Sequence, residues 1–161
     1  MAWSLDIEKW VNKKSFLFQK IKRNYAFALY SSIVKKTPVD TGRARANWNI
    51  SVGNVDTSTT KETLKTGLKY GESSINSNGD ESIFISNNLP YITTLEYGGY
   101  PNPPKSKSGK TENGYSKQAP EGMVGVTLAN KENILIAAIK RAVSEWQNLI
   151  FKKCSLTNLK N

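Results

Sequence analysis

Histidine is absent from this 161-residue chain, and cysteine occurs once, at Cys154 near the C-terminus. The first absence removes the commonest general base and metal ligand. The second leaves neither a zinc site nor an intramolecular disulfide, which fits residence in a reducing cytoplasm. No apolar run approaches the roughly 20 residues that span a bilayer. At the N-terminus Asp6, Glu8 and Lys9 interrupt any signal-peptide core. Acidic residues are scarce, 13 against 23 Lys and Arg, and none forms an evident catalytic pair. There is no Gly-x-Ser-x-Gly elbow and no dinucleotide fingerprint after a strand. Gly109-Lys110-Thr111 lacks the upstream glycine of a phosphate-binding loop, because position 104 is Pro104. These absences lead to the expectation of a non-enzymatic protein with no cofactor and no metal.

What is present centres on Thr37-Pro-Val-Asp-Thr-Gly-Arg-Ala-Arg-Ala-Asn-Trp48. Pro38 stops a helix at Thr37. Asp40 and Gly42 are turn residues: the carboxylate can accept from a backbone N–H two residues on, and glycine tolerates positive φ. Trp48, Ile50 and Val52 alternate with Asn47, Asn49 and Ser51, the period of a half-buried strand. Arg43 and Arg45 leave the turn where that strand begins.

Before this corner, Ser4 is read as the cap of a helix from Leu5 to about Lys36, with a break or change of stripe at Asn12 and Ser15. Its inward stripe is Ile7, Trp10, Val11, Phe18, Ile21, Tyr25, Ala28, Leu29, Ser32 and Ile33. Residues 54–80 are polar, with an irregular hairpin or short helix expected around Leu64 to Leu68. Ser82 to Ser86 reads as a strand and Tyr91 to Tyr97 as two helical turns ended by Gly98 and Gly99. Glu96, near the negative end of that short helix, needs a cationic partner; Arg43 and Arg45 are the candidates. From Gly99 to Gln118 the chain is an extended basic loop carrying Lys105, Lys107, Lys110 and Lys117. Ala119-Pro120-Glu121-Gly122 is a turn, and Val124, Val126 and Leu128 alternate as a third strand. Asn130 caps a last helix whose stripe is Leu135, Ile139, Ala142, Val143, Trp146, Leu149 and Ile150, with Lys140, Arg141 and Glu145 left wet. The expected architecture is one α+β domain over 1–150, order α-β-β-α-β-α. A small, mostly antiparallel sheet is packed by two long helices, and 151–161 form a flexible tail.

Three stretches in series resemble a known family: residues 37–48, Pro90-Tyr-Ile-Thr-Thr-Leu-Glu-Tyr-Gly-Gly-Tyr-Pro101, and Tyr115-Ser-Lys-Gln-Ala-Pro-Glu-Gly-Met-Val-Gly-Val-Thr127. Their order and spacing are similar to the tail-completion, or minor tail protein Z-like, neck proteins of long-tailed bacteriophages. The resemblance covers roughly residues 4–147 and excludes 54–80. It implies a virion structural protein at the head–tail neck, assembled in the host cytoplasm. Its implied partners are tail terminator, head-closure or connector subunits and further copies of itself, in a ring that is plausibly hexameric. The positions carried over as scaffold or interface are Pro38, Asp40, Thr41, Gly42, Arg43, Arg45 and Trp48; Glu96, Tyr97 and Gly98; and Gln118, Ala119, Pro120 and Gly122.

The net charge of +10 admits a polyanionic partner, with Lys105, Lys107, Lys110 and Lys117 as DNA-facing candidates. Two other readings stand beside the neck role. One is a nucleic-acid-binding protein whose basic helices contact phosphates directly, although no helix-turn-helix, zinc finger or aromatic RNA-binding signature is present. The other is a different morphogenesis factor, a tail terminator or head-closure protein.

Overall fold

Pro38 does end the first helix, and the chain upstream is a single α-helix, α1, over Ala2–Lys36. The computed structural model describes residues 2–75, 81–104 and 109–157, and the side chains of 15–75, 81–104 and 109–149. Ser4, Asp6, Glu8, Ile7, Trp10 and Val11 therefore lie outside the described side chains. The backbone of α1 has no break at Asn12 or Ser15. Its C-terminal end is closed locally: Thr37 donates both its N–H and its hydroxyl to the Ile33 carbonyl, at 3.0 and 2.8 Å.

The corner itself is a one-turn helix, α2 (Arg43–Ala46), followed by β1 (Asn49–Val52). β1 pairs antiparallel with β2 (Ile83–Ser86), Ile50 opposite Ile85. Then come α3 (Ile92–Tyr97), a hairpin of β3 (Thr111–Glu112) and β4 (Tyr115–Ser116), α4 (Val124–Ala129) and α5 (Lys131–Thr157). The fold is a small α+β domain with two long helices and two antiparallel strand pairs. The expected third strand at Val124–Leu128 is a helix instead. Gly122, at φ 77°, turns the chain so that the next N–H groups point at the Glu96 carboxylate, which starts a helix there.

The core gathers Tyr30, Ile33 and Val34 of α1 with Trp48, Ile50, Ile75, Leu89, Leu95 and Met123. Trp48 is buried and gives its indole N–H to Thr37 Oγ1 at 2.8 Å, so it ties the strand entry to the end of α1. Asn47 and Asn49, expected on a wet face, are each 1% exposed. The polar segment after β1 folds over them: Asn47 exchanges hydrogen bonds with the backbone of Thr60, and Asn49 donates to the Ser58 carbonyl at 3.0 Å. That segment holds no hairpin or helix at Leu64–Leu68; among its described residues the one helical turn is a 3-10 turn at Glu72–Ser74.

α5 runs back along α1, with Lys20 Nζ 2.7 Å from Glu145, while Ser32 of α1 lies against Thr127 of α4. Among the described side chains of α5 the buried ones are Ala138 and Ala142, small enough for close helix approach. Leu135, Ile139 and Leu149 are exposed rather than buried, as is Phe18 on α1. Ile150 lies outside the described side chains. Nor does a tail begin at 151, because the helix continues to Thr157; residues 158–161 lie outside the description.

Asn24 of α1 is 2% exposed, and neither amide atom has a hydrogen-bond partner among the described residues. A desolvated, unpaired amide is destabilising, so Asn24→Leu is expected to stabilise by about 1 kcal/mol. Thermal melting should register this as a rise of about 3 °C; an unchanged or lower midpoint would contradict it.

Glu145 gives a second expectation. The hydrogen bond from Lys20, and then that from Arg141 at 2.9 Å, hold its carboxyl below the ordinary value of 4.5. A lowered folded-state value means that the stabilisation is complete above 4.5 and is lost as pH falls through the lower value. Acid unfolding of Glu145→Gln should therefore be flatter than wild type below that pH, by a modest amount for a pair that solvent still reaches.

Candidate functional site

The corner, the end of α3 and the turn before α4 come together in space. Gly42 stands at φ 90°, and a Cβ built on it would lie 2.7 Å from the Leu64 carbonyl carbon. Leu64 in turn donates its N–H to the Gly42 carbonyl at 3.1 Å. Arg45 reads backbone only: Nε donates to Thr37 O (3.0 Å), Nη1 to Lys65 O (2.9 Å) and Nη2 to Lys35 O (2.9 Å). The guanidinium thus closes carbonyls at the end of α1, where a cation also suits the helix dipole. Asp40 accepts from Lys110 Nζ at 2.8 Å, and it is Thr41 Oγ1 that takes the N–H two residues on, that of Arg43, at 3.3 Å.

Gln118 joins this corner to the last turn. Its side-chain amide accepts from Val39 N at 2.7 Å and donates to Val39 O at 3.0 Å, as a strand neighbour would. Ala119 is buried, Pro120 exposed, and Gly122 presses on α3: a Cβ there would lie 2.4 Å from the Glu96 carbonyl oxygen.

Glu96 is placed by this packing. Its carboxylate accepts from the N–H groups of Met123 and Val124 at 2.8 Å each and of Gly125 at 2.7 Å. It caps the start of α4 from another part of the chain. The expected tie to Arg43 or Arg45 is therefore not made. Three backbone donors with no helical acceptor satisfy the carboxylate, while Arg45 is committed to carbonyls. Arg43 is exposed and makes no side-chain hydrogen bond or ion pair among the described residues. Tyr97 is 76% exposed, and Gly98, at φ 77°, lies against the Tyr115 ring.

Between these elements opens a cleft of about 620 Å³. Pro38, Ala44, Leu95, Tyr91 and Tyr100 give it an apolar lining, and Arg43 and Lys110 stand on its rim. Burial, with the neighbouring Tyr91, pushes the Tyr100 hydroxyl above its ordinary pKa. Among the described residues no cluster of His, Cys, Asp and Glu could hold a metal ion.

No family model, curated protein or solved structure matches this chain.

Of the basic-loop lysines, Lys105 and Lys107 lie outside the described residues. Lys110 is paired with Asp40, and Lys117 lies 4.0 Å from Glu112. The loop is also less extended than expected. Asn113 (φ 50°) and Gly114 (φ 81°) form the turn of the β3–β4 hairpin, and Asn-Gly is the strongest short hairpin signal that a sequence offers.

Proposed function

We propose that this chain is a non-enzymatic structural subunit of the tail-completion type, acting at the head–tail neck of a long-tailed bacteriophage. The observation that carries the reading is mutual locking of the three stretches that bear the resemblance. Gln118 pairs with Val39 across 79 positions, and Glu96 caps the helix that follows Gly122. Side chains of the shared motifs are thus spent on backbone groups that fix one rigid corner, which suits a wedge that must dock rather than react. On α5, Leu135 and Ile136 stand four and three positions before Ile139, and all three are exposed apolar residues, as is Leu128 on α4. An exposed apolar face is of the kind that a neighbouring subunit covers, in keeping with assembly into a ring.

No helix among the described residues is long and apolar enough to cross a membrane. Location in the virion neck, after assembly in the host cytoplasm, belongs to the proposal. So do contacts with tail terminator, head-closure or connector subunits. The net charge of +10 suits a lumen that holds DNA, through phosphates and not bases.

The test is addition of the purified protein to tails that lack it, scored by head attachment, with light scattering of the free protein. Restored attachment supports the reading. A protein that ignores tails yet shifts duplex DNA at low salt would transfer the assignment to direct nucleic-acid binding.

A further inference from the structure

We infer that the cleft between α2, α3 and the β3–β4 hairpin is a docking site for an acidic, extended peptide segment of a partner protein. At about 620 Å³ it has the size of sites that enclose a small ligand or a few residues of chain. Its two kinds of surface specify the occupant. Pro38, Ala44, Leu95 and the rings of Tyr91 and Tyr100 accept an apolar or aromatic side chain. Tyrosines serve this role at low entropic cost, since each has few rotamers to lose.

The rim sets the charge. Arg43, Lys110 and Lys117 line the cleft against a single carboxylate, Asp40, so the lining carries a net two positive charges. Arg43 has no acceptor among the described residues, and its guanidinium fork matches a carboxylate bidentately. Lys110 is bound to Asp40 in a pair whose side chains are 61% and 74% exposed. A pair so wet is held weakly. An incoming carboxylate can exchange with Asp40 for Lys110, which makes Asp40 an internal competitor for the site. The same balance argues against a second copy as occupant, because a chain of net charge +10 offers few acidic segments.

The experiment uses the full-length protein and a displayed library of random heptapeptides, followed by fluorescence anisotropy with an enriched peptide. Enriched sequences should carry carboxylates flanking an aromatic or leucine. Arg43→Glu and Lys110→Glu should each weaken the peptide at least about tenfold, about 1.4 kcal/mol. Asp40→Asn should tighten it several-fold, an effect that a merely structural Asp40 would not give. Thermal melts establish that all three variants remain folded. Absence of enrichment, enrichment of neutral or basic peptides, or equal affinity for Arg43→Glu would each overturn the proposal. So would a duplex oligonucleotide that displaces the peptide and depends on the same residues, since that assigns the cleft to phosphate. Failure here leaves the neck reading intact, because head attachment to tails is scored separately.

Discussion

Glu96→Ala should lower unfolding free energy by about 2–4 kcal/mol, measured by chemical denaturation. The substitution strips three N–H groups at the start of α4 of their acceptor and removes a charge favourable to the helix dipole. Glu96→Gln keeps one acceptor oxygen and should lose roughly half as much. The result separates two uses of the carboxylate. If Glu96 were tied to Arg45, a double-mutant cycle between them would give a sizeable coupling energy. The hydrogen bonds predict a coupling near zero, since each residue addresses different backbone groups. A strong coupling would sink the capping role.

Gly42→Ala should cost about as much, roughly 2–4 kcal/mol, for a different reason. The backbone there is left-handed at φ 90°, and the new methyl would meet the Leu64 backbone at 2.7 Å, which has no flexible end to move aside. Gly53 provides the control: at φ 81° it also strains an alanine, but nothing lies within 4 Å of its Cβ position. The difference between Gly42→Ala and Gly53→Ala therefore isolates the clash from the dihedral strain, which alone amounts to about 1–2 kcal/mol. Equal losses at both sites would mean that the segment around Leu64 is not packed on the corner.

How much of this was legible in the sequence depended on how local the deciding physics was. Pro38 ended α1, and Gly98 ended α3, because a missing donor and a permissive φ act within a residue or two. The strand at Asn49–Val52 followed from its alternation, yet the same alternation misassigned Asn47 and Asn49. Their burial depends on a polar segment that brings its own carbonyls to meet them, and nothing in the period of β1 announces that. Val124, Val126 and Leu128 alternate as a strand should, and a distant carboxylate overrode the pattern by capping a helix there. The partner of Glu96 was sought among cations, whereas it consists of backbone N–H groups, which sequence does not distinguish from any others. Asn113-Gly114 was the opposite case, a local signal strong enough to read that lay within a stretch of loop-like composition. The cleft arises only when three separated stretches meet, so its shape was not readable: Arg43 stood among the candidate residues, but Tyr91 and Tyr100 did not, and Tyr97, which did, is exposed outside it.

One consequence of the helix pair concerns distance. At about 1.5 Å per residue, the 35 residues of α1 make a rod of about 52 Å. Its C-terminal end abuts the cleft, and α5 braces its middle through Lys20 and Glu145. The rod thereby fixes the span between the corner and the opposite end of the helix. Shortening both helices by matched turns would shorten that span in steps of about 5.4 Å while leaving the corner unchanged.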